Sequence, residues 1–74
     1  MWSFENRVMR LMSRFSKVKT YAQAAMLHYD IGCEITRLRA GAHRHNKYRK
    51  ALRQSLREMR QELCERFHFP KRTA

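Results

Sequence analysis

Apolar residues return every three or four positions along the first part of the chain. Phe4, Val8, Leu11, Phe15, Val18, Ala22, Ala25 and Tyr29 step by 4, 3, 4, 3, 4, 3 and 4. That spacing keeps one face of a helix apolar. The seam thins to alanines in its second half. Ile31, Ile35 and Leu38 carry it onward in a shifted register, with Gly32 at the shift. The pattern predicts one long helix from about Ser3 to Arg39, bent near Gly32, with Ser3 placed to cap its start.

A second stripe follows. Tyr48, Leu52, Leu56, Met59, Leu63 and Phe67 repeat at helical spacing in an otherwise charged segment, which describes a helix packed along one face. Asn46 is a good N-cap residue, and Phe69-Pro70 ends the segment because a residue before proline resists helix. The expected fold is all-α: a helical hairpin with a turn near 41–46 and a second helix over about 47–67. Residues 1–69 form the domain and residues 70–74 a loose tail. A short connection makes the helices antiparallel neighbours.

So small a hairpin leaves apolar surface uncovered. A protein partner or self-association, as a dimer or larger assembly, is therefore expected to complete the core. Phe4, Val8, Leu11, Phe15, Leu52, Leu56, Met59, Leu63 and Phe67 are the expected partner-packing residues. Trp2 and the five methionines add to that surface.

Charge changes the picture most. Seventeen Lys and Arg oppose six Asp and Glu, a formal net charge of +11 on 74 residues. Such a chain repels itself and is drawn to polyanions. Twelve of the cations are Arg, whose planar fork fits phosphate or carboxylate with two hydrogen bonds. The cations also cluster. No acid interrupts the window from Ile35 to Arg57, which holds eight of them. On the second helix Lys50, Arg53, Arg57 and Arg60 step by 3, 4 and 3 along one face. Arg37 and Arg39 end the first helix. Arg44, Lys47 and Arg49 surround the turn, with His43 and His45 beside them. These nine cations, Arg37, Arg39, Arg44, Lys47, Arg49, Lys50, Arg53, Arg57 and Arg60, are the candidate nucleic-acid-binding set. Tyr48, at the edge of the set, offers a ring for base stacking or for the apolar seam.

Other chemistries fare worse. Cys64-x3-His68 and His43-x-His45 contain metal-ligand types, but the hairpin keeps the two pairs apart and a tetrahedral site needs four ligands. No metal site or cofactor is expected. No nucleophile motif, zinc-hydrolase motif or glycine-rich phosphate loop occurs, so neither catalysis nor a small-molecule substrate is expected. Residues 20–41, "TYAQAAMLHYDIGCEITRLRAG", have part of a helix-turn-helix cadence, with Thr20 and Gln23 as a cap and "ITRLR" as a recognition segment. The tight-turn glycine is misplaced, because Gly32 comes too late. A basic-zipper reading of "NKYRKALRQSLR" fails on spacing and on too few leucine heptads.

Two cysteines are too few for a disulfide scaffold and suit a reducing intracellular compartment. No apolar run approaches the roughly 20 residues that cross a bilayer. The N-terminal segment is basic, amphipathic and acid-poor, which fits a mitochondrial targeting helix as well as an ordinary surface helix.

The sequence therefore points to a non-enzymatic helical protein that docks on nucleic acid, with RNA favoured over DNA. A structural component of a ribonucleoprotein, such as an organellar ribosome, fits best. The alternative is a protein-interaction subunit or modulator: a supernumerary subunit of a mitochondrial respiratory complex, or a phage-encoded modulator of a host enzyme.

Overall fold

A computed structural model of the chain describes residues 3–69. Trp2 and the expected tail at 70–74 lie outside the described residues. The fold is all-helical: α1 (Phe4–Lys17), α2 (Tyr21–Arg39) and α3 (Arg49–Phe67), with no strand among the described residues.

The single long helix expected over Ser3 to Arg39 is thus two helices. Ser3 does cap the first, its Oγ accepting the Asn6 N–H at 3.2 Å. Glu5 in the first turn and Arg14 and Lys17 in the last complement the helix dipole. The chain then leaves helical geometry at Val18 (φ −70°, ψ 130°) and Thr20 (φ −110°, ψ 157°). A reciprocal capping box restarts it. Thr20 Oγ1 accepts the Gln23 N–H at 3.2 Å, and Gln23 Oε1 accepts the Thr20 N–H at 3.3 Å and the Lys19 N–H at 3.0 Å. These side chains satisfy amides that a continuous helix would have bonded to its own carbonyls, so the break costs little.

The break also resets the buried face. Beyond it Ala24, Leu27, Ile31, Ile35 and Leu38 are buried, while Ala22 and Tyr29, expected in the seam, are exposed. Gly32 lies inside α2 and does not end it.

α2 stops in a complete Schellman arrangement. The Gly41 N–H donates to Leu38 O at 3.1 Å and the Ala42 N–H to Arg37 O at 3.0 Å. Gly41 takes the left-handed conformation this requires (φ 99°). Asn46 then shapes the turn before α3, its Oδ1 accepting the Tyr48 N–H at 2.8 Å. α3 begins at Arg49, two residues later than expected, and ends at Phe67 with His68 left-handed (φ 55°).

Two contacts fix α2 and α3 as antiparallel neighbours. The Arg49 guanidinium lies at the Leu38 carbonyl, and Cys64 Sγ meets His28 Nε2 at 3.4 Å. α1 folds back over both helices. Its Arg14 pairs with Asp30 of α2 at 2.7 Å, and Arg66 of α3 sits 6.0 Å over the Phe15 ring. All three helices feed one core: Phe4, Val8 and Leu11, then Val18, then the α2 residues above, then Leu56, Met59 and Leu63. Phe15, Leu52, Phe67 and Phe69 pack on its edge. The nine apolar residues expected to face a partner thus pack against one another, six buried and Phe15, Leu52 and Phe67 partly so. No helix among the described residues is long and apolar enough to cross a membrane.

Candidate nucleic-acid interface

The nine candidate cations divide into those the fold uses and those it leaves free. Arg49 belongs to the first group. Its Nε donates to Ala42 O at 3.3 Å, and its Nη2 donates to Leu38 O. It places a cation on the last carbonyls of α2, where the helix dipole is negative. Arg37 is also engaged, 3.6 Å from the buried Glu34 carboxylate. The Lys47 ammonium lies 5.1 Å from the centroid of the Tyr48 ring, which is half exposed and outside the core. Arg60 stands close enough to His28 for its charge to disfavour imidazolium there.

Of the nine only Arg37 is in a salt bridge with an acid, and Arg39, Arg44, Lys50, Arg53 and Arg57 have none among the described residues. Of these five, all but Arg53 are exposed. The Arg53 side chain is half-buried, and its Nε is buried without a hydrogen-bond partner. The seam therefore holds the stem of Arg53 in place.

α3 sorts its charges by side. At 3.6 residues per turn, Lys50, Arg53, Arg57 and Arg60 fall within an arc of about 80°. Arg49 and Cys64, which touch α2, lie on the same flank. Glu58, Glu62 and Glu65 fall on the opposite flank by the same spacing. The basic row consequently faces outward beside α2, with no acid among it.

The loop carrying Arg44 is pinned to α1. The His43 ring stacks on Phe4 with centroids 4.5 Å apart and planes 16° apart. Arg7 Nη2 donates to His43 Nε2 at 3.1 Å, and Asn46 Nδ2 donates to Glu5. That hydrogen bond, with help from the Glu5 backbone, holds the Glu5 carboxyl below its ordinary pKa. Arg7 also pairs with Glu34 at 3.0 Å. His43, placed in the basic turn by sequence, is therefore a packing residue held against α1.

The histidine and cysteine pairs do not converge. His68 turns away at the end of α3, and Cys64 meets His28 instead. Among the described residues no three His, Cys, Asp or Glu side chains form a metal-holding group. Burial, then the charge of Arg60, pushes the His28 pKa down. Phe69 and Tyr21 continue this edge, Phe69 meeting Tyr21 at 5.0 Å and His28 at 5.2 Å between ring centroids. The helix-turn-helix cadence also dissolves, since α2 runs unbroken through the residues where its turn would fall.

Two residues of α2 depart from the spacing. The 4-3 seam predicts Tyr29 buried, but it is 71% exposed. The register shift predicts a bend at Gly32, but the residue lies within α2, and a Cβ there would meet nothing within 4 Å. The reset of register at Thr20 was the signal for both. No family model matches the chain, and no curated protein or solved structure matches it either.

Proposed function

We propose that this protein is a non-enzymatic nucleic-acid-docking protein that grips RNA phosphates with the 39–44 loop edge and the basic flank of α3. It serves as a structural component of a ribonucleoprotein, and its basic N-terminal helix fits an organellar ribosome. One observation carries the reading. Arg39, Arg44, Lys50, Arg53 and Arg57 lack acidic partners, while Glu34 and Asp30 are occupied by Arg7, Arg37 and Arg14. Lys50, Arg53 and Arg57 follow one another at three- and four-residue spacing. Each such like-charge neighbour costs a few tenths of a kcal/mol on a helix. A polyanion laid across the row removes that repulsion and releases condensed counterions.

Phosphate contacts of this kind supply affinity and orientation with little sequence reading. The apolar seam that a protein adaptor would need is largely occupied within the core, which favours the nucleic-acid reading over the adaptor. The test is fluorescence anisotropy with generic RNA over a salt series. Binding that weakens linearly in log–log form is expected. No binding at low salt would sink the proposal.

A further inference from the structure

Gly32 has no packing reason to be glycine. It sits in the middle of α2, where glycine weakens a helix, and no neighbour crowds the place a side chain would occupy. Its backbone conformation is ordinary helix, so no positive φ demands it. The other physical use of glycine is close approach by something outside the chain.

Its surroundings indicate what approaches. Helical spacing puts Gly32 on the flank of α2 that carries His28 and Arg39, the flank against α3. The antiparallel register is set by Leu38 beside Arg49 and His28 beside Cys64. Gly32 is therefore level with about Arg57, and Arg53 stands one turn nearer the loop. Tyr29, one turn before Gly32, presents a ring that stacks on no other aromatic among the described residues.

We propose that a single strand of RNA lies along the α2–α3 seam, its sugar-phosphate backbone passing over Gly32, phosphates held by Arg53 and Arg57, and one base stacked on Tyr29. This rests on the nucleic-acid reading above and makes it more specific. The cationic row from Lys50 to Arg60 is about 15 Å long at 1.5 Å per residue, enough for a few nucleotides. The half-buried stem of Arg53 keeps its guanidinium at the seam, so less side-chain freedom is lost on binding. Stacking tolerates any base, so the seam would hold a strand without selecting a sequence.

The experiment measures anisotropy of a short fluorescein-labelled oligouridylate and of an RNA duplex of equal length, for four proteins. The first is the unaltered protein. Gly32→Leu fills the approach, Tyr29→Ala removes the platform, and Arg53→Glu with Arg57→Glu reverses the row. Gly32→Leu is expected to weaken single-strand binding about tenfold while the thermal midpoint stays equal or rises, since leucine is the better helix former. Tyr29→Ala is expected to weaken the single strand about tenfold and the duplex far less. Should Gly32→Leu and Tyr29→Ala bind like the unaltered protein while the charge reversal abolishes binding, the strand path over Gly32 is refuted and the general RNA reading stands. Should the unaltered protein bind neither RNA, both fall. A polyglutamate peptide that displaces the oligouridylate at equal charge concentration would reassign the seam to an acidic protein segment and overturn the proposal.

Discussion

α2 has two flanks, and they treat charge in opposite ways. Toward α1, cations meet acids: Arg7 with Glu34 at 3.0 Å and Arg14 with Asp30 at 2.7 Å. Glu34 is 8% exposed, so its pair is shielded from solvent and salt. Toward α3, Arg39, Arg53 and Arg57 line the seam without an acid, and the α3 glutamates lie on the far side. A high count of arginines therefore holds two populations. One is structural and neutralised. The other is free, and only position in the fold tells them apart.

The sharpest way to test that difference is to break one pair on the α1 flank. Glu34→Ala leaves Arg7 and Arg37 without their buried partner and should destabilise the fold by about 1.5 kcal/mol, since both guanidiniums still reach solvent, read as a shifted urea midpoint. Glu58→Ala, on the outer flank of α3, should stay within about 0.5 kcal/mol. Equal effects would erase the contrast.

The converse applies to the α3 flank. Arg53→Ala with Arg57→Ala should move the urea midpoint little, because loss of the packed Arg53 stem offsets the relief of like-charge repulsion. The same pair should lower the salt slope of single-stranded RNA binding by about 1.4 and weaken binding about 25-fold at 0.1 M salt. A large loss of stability would show that the row is structural after all.

Smaller effects separate the two ends of α2. Gly41→Ala should cost about 1 kcal/mol, since a Cβ at φ 99° is strained and would approach Arg44 Nη2 at 3.2 Å. Thr20→Ala should cost about 1 kcal/mol through loss of the capping box. Thermal melts of the two variants read both.

The smallest effect is pH dependence. The folded His28 has a pKa below its ordinary 6.5, because burial and Arg60 disfavour its charged form. The unfolded chain therefore takes up the proton first, and this contribution to stability, full above 6.5, is lost as pH falls through the folded value. Glu5 is likewise depressed, from an ordinary 4.5, by its bond from Asn46. Its contribution is present above 4.5 and lost at more acidic pH. Urea midpoints should decline in two shallow steps on acidification, and His28→Gln should remove the upper step.

Much of the fold was legible in the sequence. The α3 stripe, the Ser3 cap, the helix end at Gly41 and the stop after Phe67 all followed from local chemistry. The break at Val18 to Thr20 did not, because the 4-3 spacing runs on through Ala22 and Ala25. Alanine fits a buried or an exposed face equally well, so those positions carried no information. Thr20 and Gln23 hold the answer as a capping pair, a signal that a helix-turn-helix cadence shares.

The candidate site was legible as a composition and not as an arrangement. Arg49 and Arg53 are four residues apart on one helix, yet one guanidinium caps α2 and the other is free of acids. What separates them is the position of Leu38 O, which is tertiary. Gly32 and Tyr29 were hidden for the same reason, since their exposure depends on a register that resets upstream.

The loop between α2 and α3 takes its order from a remote part of the chain. Phe4, Glu5 and Arg7 hold His43 and Asn46 across some forty positions of sequence. Amide exchange at Asn46, whose N–H donates to His43 O, should therefore follow the opening of α1. A protease that nicks α1 would also release His43 and Asn46 from their partners there.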